Sequence, residues 1–284
     1  MTSDDTHDAT EALLNSHPRI KALTQSSAVR VTLLKQPAVP AIANVEGHLA
    51  KESTYRVLEK PHGHGDVHTM LFRSGAVRRW RDAGLTHVAV FQDTNPGAFL
   101  ALPALVADCI ARNLEASVLA IPRLAKSASG SIVRLVPPPP SPETAAVPTT
   151  NDHGKRLHVE PEPARTANVE YNVLSAVLRG ALGRDDENDP ATGFSPFPGN
   201  TNQLVFRLAE YEARLLAAPN NGRLVPDFIN PKFAPDGVTF AKPTRLESLM
   251  QDYLSLVPED KVGVLLLEDW HAAEEASSAA PPVL

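Results

Sequence analysis

Cys109 is the only cysteine in the 284 residues, which excludes an intrachain disulfide and a multi-cysteine zinc site and fits a reducing compartment. Basic clusters are missing as well. Lys and Arg number 27 against 33 Asp and Glu, the formal net charge is -6, and no long Lys/Arg run offers the basic face of a general nucleic-acid binder. A small-molecule partner is expected instead, with no nucleic acid and no membrane, since no apolar run reaches membrane-spanning length. The opening residues, Met1-Thr2-Ser3-Asp4-Asp5-Thr6-His7-Asp8, are acidic where a secretory signal is basic and then apolar, so a cytoplasmic protein is expected. Nor does any Ser-His-Asp or Cys-His constellation have a spacing that supports nucleophilic catalysis.

What is present is a globular composition, 43% hydrophobic, in a chain long enough for one large α/β domain or two small ones. Its densest chemistry is Glu59-Lys60-Pro61-His62-Gly63-His64-Gly65-Asp66-Val67-His68. Gly63 and Gly65 have no β-carbon, so the backbone there can take positive φ and approach a ligand, with His64 and Asp66 projecting between them. A zinc site competes for the same residues: His62, His64 and Asp66 fit the His-x-His-x-Asp-His pattern of metallo-hydrolases. Val67, however, separates Asp66 from His68, which on extended backbone turns His68 to the other face.

Periodicity predicts a helix over 9–23, a short buried strand over 28–34, and a strand over 55–58 that leads into the glycine loop. A helix opens at 67–71 with Asp66 at its positive end. After a break at Gly75, helix 77–83, strand 86–91, helix 103–113 and strand 116–121 alternate in the manner of a largely parallel sheet. Ligands of such sheets bind at the carboxyl ends of strands, where Gln36, the glycine loop, Asp93 and Arg123 fall. Residues 137–163, with Pro137-Pro138-Pro139-Pro140, have no apolar period and read as an exposed insertion. Helices are expected over 202–217 and 245–256, and a buried strand over 262–267.

Seven segments in order resemble the UDP-sugar pyrophosphorylases, within the UTP:sugar-1-phosphate uridylyltransferase superfamily. They are 2–7, Val31-Thr32-Leu33-Leu34-Lys35-Gln36, 60–68, Phe91-Gln92-Asp93-Thr94-Asn95, Asn168-Val169-Glu170-Tyr171-Asn172, 195–204, and Thr244-Arg245-Leu246-Glu247 with Met250-Gln251-Asp252-Tyr253. The resemblance implies a mixed, largely parallel α/β sheet flanked by helices, of the Rossmann-like, GT-A-like nucleotidyltransferase type. It would span 1–270 as one partial catalytic region and leave 271–284 as a disordered tail. It also implies transfer of a uridylyl group from UTP to a sugar 1-phosphate, with Mg2+ and a direct attack on the α-phosphorus. Such chemistry rests on positioning and charge neutralisation.

By position, Gln36 and Gly63 match the residues that meet the uracil edge, and His64 the one beside ribose and phosphate. Asp93 matches the metal-holding carboxylate, and Asp93 and His64 are the expected catalytic pair. Glu170 and Asn202 match sugar-hydroxyl contacts, and Arg123 and Lys126 a basic phosphate loop, although Leu124 stands where a lysine is usual. A monomer is expected. Two family features have no counterpart in the sequence: the glycine-rich phosphate loop, and a lysine-bearing strand beyond Asp269-Trp270. A truncated enzyme, inactive alone and with an unpaired strand edge, is therefore expected, and a non-catalytic UDP-sugar-binding module is the alternative.

Overall fold

Pro18 divides the first predicted helix. In this computed structural model, α1 (His7–Ser16) stops before His17, whose ψ of 117° is extended, and α2 (Pro18–Gln25) starts with proline at its first position. A proline there lacks only an N–H that a helix start leaves unpaired, and it disfavours the α region for the residue before it. The structure describes residues 1–26, 29–95, 97–137, 163–218, 222–236 and 239–267. Most of the expected insertion at 137–163 and the whole expected tail at 271–284 lie outside the described residues. No described helix is long and apolar enough to cross a membrane.

The described residues fall into two compact units, those within 1–84 and 212–250 and those within 85–211 and 251–267. The first unit holds a four-stranded antiparallel sheet of order β10-β11-β1-β4, made of β1 (Ala38–Ile42), β4 (Glu59–Pro61), β10 (Asp227–Ile229) and β11 (Thr244–Ser248). A small ribbon of β2 (Lys51–Ser53) and β3 (Arg56–Val57) replaces the strand expected at 55–58. The helix expected over 245–256 is instead β11 followed by a 3-10 turn, Met250–Leu256. Pairing on both sides, with β1 and β10, overrides the helical pattern there. α3 (Asp66–Arg73) and α4 (Ala76–Asp82) follow the glycine loop as expected, separated by Gly75 at φ 66°. The predicted strand at 28–34 does not form: among the described residues only the bridge between Thr2 and Lys35 touches this stretch, and Val29 and Val31 are each 44% exposed.

The second unit is built on a six-stranded mixed sheet, order β12-β6-β9-β7-β8 with β5 also on β9. Its strands are β5 (His87–Val90), β6 (Ala116–Ile121), β7 (Ser131–Leu135), β8 (Arg165–Val169), β9 (Gly199–Arg207) and β12 (Val262–Leu266). β9 was expected to be helical. It is a strand because Leu204, Val205 and Phe206 are wholly buried between two neighbours, β5 on one edge and β6 on the other. α7 (Leu208–Ala217) begins only after it. β9 runs antiparallel to both β5 and β6, so it sits inside the parallel crossover from β5 through the helix Ala98–Ala111 to β6. Among the described strand pairs of this sheet only β12 with β6 is parallel, and the sheet is therefore more antiparallel than the alternation implied.

α5 (Ala98–Ala111) starts a full turn before Pro103, which lies inside it. The lost backbone bond is offset by an inner face of Ala101, Leu105 and Cys109 packed with Leu119 and Val205; each large apolar side chain buried in this way contributes about 1.5–3 kcal/mol. A second cluster joins Val133, Ala167, Leu174 and Leu178, the last two from α6 (Tyr171–Leu182).

Candidate functional site

In the first unit, the glycine loop connects β4 to α3 and is pressed against the end of β11. Gly63 has φ 139°, and a β-carbon on it would stand 2.6 Å from the Ser248 carbonyl oxygen; one on Gly65 would stand 2.7 Å from the Ser248 side chain. The Gly65 N–H donates to Ser248 O at 3.0 Å. Both glycines are thus required by the neighbouring strand, whereas the sequence attributed them to a ligand. Ser248 carries no local signal that marks it as this partner.

Gln36 is held in place by the chain start: Thr2 N–H donates to Leu34 O and Gln36 N–H to Thr2 O, each at 2.8 Å. Its side-chain Oε1 accepts the Gly63 N–H at 3.3 Å. The two residues expected to meet the same base are therefore in contact. His64 is half-buried, and burial lowers its pKa, so the imidazole is neutral. Nδ1 accepts the Met250 N–H at 3.1 Å, which leaves the ring proton on Nε2 as a donor.

His62 faces two carboxylates, Asp66 Oδ1 at 2.7 Å from Nδ1 and Asp227 Oδ1 at 3.2 Å from Nε2. His68 is fully buried, its Nε2 lies 3.0 Å from Met250 O, and burial pushes its pKa down to about 4. No group of three or more His, Cys, Asp or Glu side chains among the described residues could hold a metal ion. The zinc reading of His62, His64 and Asp66 is corrected on that ground, because the Nδ1 of His64 is turned to Met250 and His62 is taken up by aspartates.

In the second unit, Asp93 is exposed just beyond the carboxyl end of β5. Glu170 is the N-cap of α6 without capping it. Its Oε1 accepts from Asn168 Nδ2 at 2.7 Å and, more weakly, from Gln251 Nε2 at 3.4 Å. Asn202 lies in β9 at φ 54°, at the register shift where Val118 pairs with Leu204 but Ala120 with Asn200. Such a bulge re-aims a side chain out of a strand. Asn200 links the pieces: its Nδ2 donates to Asn202 Oδ1 at 2.9 Å and to Asn168 Oδ1 at 3.0 Å. The two predicted sugar residues are thereby tied into one amide and carboxylate network. Asp252, which the sequence singled out only within a motif, belongs beside it. Burial, and then the Glu170 charge, raise its carboxyl to about 6.

Arg123 departs from expectation. Its side chain is 1% exposed, and the guanidinium donates to Phe197 O, Leu124 O, Ser195 Oγ and both Asp186 oxygens. A cation so enclosed, with all three of its nitrogens bonded inside the protein, is a strut within the loop. Lys126 is exposed, at φ 63°, and its ammonium lies 3.6 Å from Asp185.

Residues 1–135 match the family described as UTP–glucose-1-phosphate uridylyltransferase. UDP-sugar pyrophosphorylase of Arabidopsis thaliana is 38% identical over 278 residues, 96% of this chain and 40% of the relative. The protein of the same name from Oryza sativa subsp. indica is 35% identical over 276 residues, again 96% of this chain and 40% of the relative. Over nearly its whole length this chain is similar to the UDP-sugar pyrophosphorylases. Among solved structures, the V402W mutant of UDP-glucose pyrophosphorylase from Leishmania major superposes with a TM-score of 0.64 at 18% identity, over 98% of this chain and 51% of that one. The S374W mutant of the same enzyme, in complex with UDP-glucose, gives 0.62 at 19% identity, over 93% of this chain and 50% of that one. These likenesses show the α/β fold. The chain spans 40% of the length of the two curated relatives.

Proposed function

We propose that this chain supplies recognition residues for uridylyl transfer from UTP to a sugar 1-phosphate, giving a UDP-sugar and pyrophosphate. The observation that carries the reading is the contact of Gln36 Oε1 with the Gly63 N–H. An amide and a backbone N–H already paired with each other can exchange that bond for the acceptor and donor groups of a uracil edge. His64 adds a neutral Nε2–H donor suited to ribose or phosphate oxygens. In the second unit, the network of Glu170, Asn168, Asn200 and Asn202 offers the alternating donors and acceptors that sugar hydroxyls need.

The exposed carboxylate of Asp93, at a strand's carboxyl end, fits the one or two protein ligands that magnesium usually takes. Magnesium bound there would neutralise phosphate charge. Every other task falls to binding and orientation by the residues named above. The same proposal makes the protein a cytoplasmic monomer. It also makes this chain alone a binder of UDP-sugar with little or no turnover, because no glycine-rich phosphate loop occurs in its sequence.

Calorimetry with UDP-glucose tests the reading. Binding by the chain, weakened about tenfold or more in Gln36→Ala, is expected. Absence of binding in a folded sample overturns it. A Mg2+ titration of the UDP-glucose complex, followed by heat release in the parent chain and in Asp93→Asn, checks the metal separately.

A further inference from the structure

Asp186 is 2% exposed and lies far from Arg123 in sequence, yet three groups make four hydrogen bonds to its carboxylate. Arg123 Nη2 donates to Oδ1 at 3.0 Å and to Oδ2 at 2.9 Å. Ser195 Oγ donates to Oδ1 at 2.7 Å, and the Lys126 backbone N–H donates to Oδ2 at 2.8 Å. The Asp186 backbone N–H in turn donates to Asp185 Oδ1 at 2.8 Å, which fixes the two acidic residues together.

Asn188 adds a second tether, its Oδ1 accepting the Ala125 N–H at 2.7 Å. The Ser127 N–H closes on Leu124 O at 3.2 Å, and Arg123 O accepts the Ser195 N–H at 2.8 Å. The N–H groups of 125, 126 and 127 are all engaged inside the protein, so this turn has none of them to offer an anion. Its remaining cation is the Lys126 ammonium. Lys126 holds φ 63°, a conformation disfavoured for a residue with a β-carbon and one that persists only where the surroundings enforce it. The Asp186 carboxylate on its N–H is that enforcement.

A buried ion pair adds little net stability over apolar residues of the same size, so its use here is better sought in the shape it imposes. We propose that Asp186 is a positioning residue: by gripping Arg123 and the Lys126 backbone it presents the Lys126 ammonium to a phosphate group of the nucleotide or sugar phosphate. Asp185 is the resting counter-ion. It also binds Arg179 at 3.1 Å, so it keeps a partner when Lys126 turns to a ligand. The inference rests on the uridylyl-transfer reading, and it moves the phosphate role away from Arg123.

The test compares two probes on the folded chain by calorimetry: UDP-glucose, which carries phosphates, and uridine, which does not. Lys126→Gln is expected to weaken UDP-glucose about tenfold, with a shallower salt dependence, and to leave uridine affinity within twofold; Lys126→Arg is expected to restore most of the loss. The paired replacement of Arg123→Met with Asp186→Leu keeps the buried volume but removes the grip on Lys126. It is expected to unfold near the parent urea midpoint and yet to lose UDP-glucose affinity as Lys126→Gln does. Should that pair fail to fold, Asp186→Asn, which keeps size and loses charge, is read in the same way. Parent affinity for UDP-glucose in Lys126→Gln, or in the folded Asp186 variant, overturns the proposal. Failure of both probes to bind the folded parent chain defeats the uridylyl-transfer reading itself, a result distinct from binding that ignores Lys126.

Discussion

The loop at His62–Gly65 keeps its shape because nothing projects from two of its residues, whereas the loop at Arg123–Ser127 keeps its shape because a guanidinium and a carboxylate are buried beside it. In the first, Gly63 and Gly65 lie against Ser248 at distances no β-carbon tolerates. In the second, Asp186 gathers Arg123, Ser195 and Lys126. The contrast teaches that each loop is vulnerable to a different chemistry: one to added volume, the other to an unpaired charge.

Breaking the charged loop should have the larger effect. Arg123→Ala leaves Asp186 buried without its cation, and a loss of about 3–5 kcal/mol is expected in urea unfolding. Gly63→Ala comes next. It sets a β-carbon against the Ser248 carbonyl at a positive φ, for an expected loss of about 2–4 kcal/mol together with the Gln36 contact. A gain or no change in stability in either variant would remove the stated basis of that loop's shape.

Acid sharpens the comparison between the units. The His68 pKa is lowered from 6.5 to about 4 in the folded chain, so the unfolded chain takes up its proton first as pH falls. The stability this group contributes is complete above pH 6.5 and drains away toward pH 4, by about 1.4 kcal/mol per pH unit. At pH 5 the loss is about 2 kcal/mol. Asp252 has the opposite sign: raised to about 6 from 3.8, it binds its proton more readily when folded, and its contribution grows as pH falls through that window. Amide exchange, corrected for intrinsic rates, should therefore show α3 loosening between pH 6.5 and 5 while the Met250–Leu256 turn holds. The smallest effect is expected at Arg134 and Glu259, an ion pair on the surface; Arg134→Ala should leave the urea midpoint unchanged.

Legibility in the sequence followed the range of the forces involved. α3, α4, β5, β6 and β12 were read from local apolar runs and glycine breaks, and they stand where expected. β9 and β11 were misread because their strand character comes from neighbours distant in the chain: Phe206 is buried by pairing with Val88 and Ala116, and Leu246 is aligned with Ile229. The same limit applies to the site. Gln36 with Gly63, and Glu170 with Asn202, were named from motifs and are joined in the structure. The role of Arg123 was not legible, since Asp186 stands far from it in sequence and no motif marks the pair. Ser248, which dictates both glycines, left no trace in local composition for the same reason.

Cys109 gives the molecule a built-in reporter. It is wholly inaccessible within the α5 layer, where its Sγ points to Leu114 O at 3.6 Å, and burial raises its thiol pKa. Because it is the single sulfhydryl of the chain, a thiol-reactive dye can label the protein at that position alone, and only when α5 lifts from the sheet. The labelling rate then counts openings of the second unit one by one, without a signal from the first.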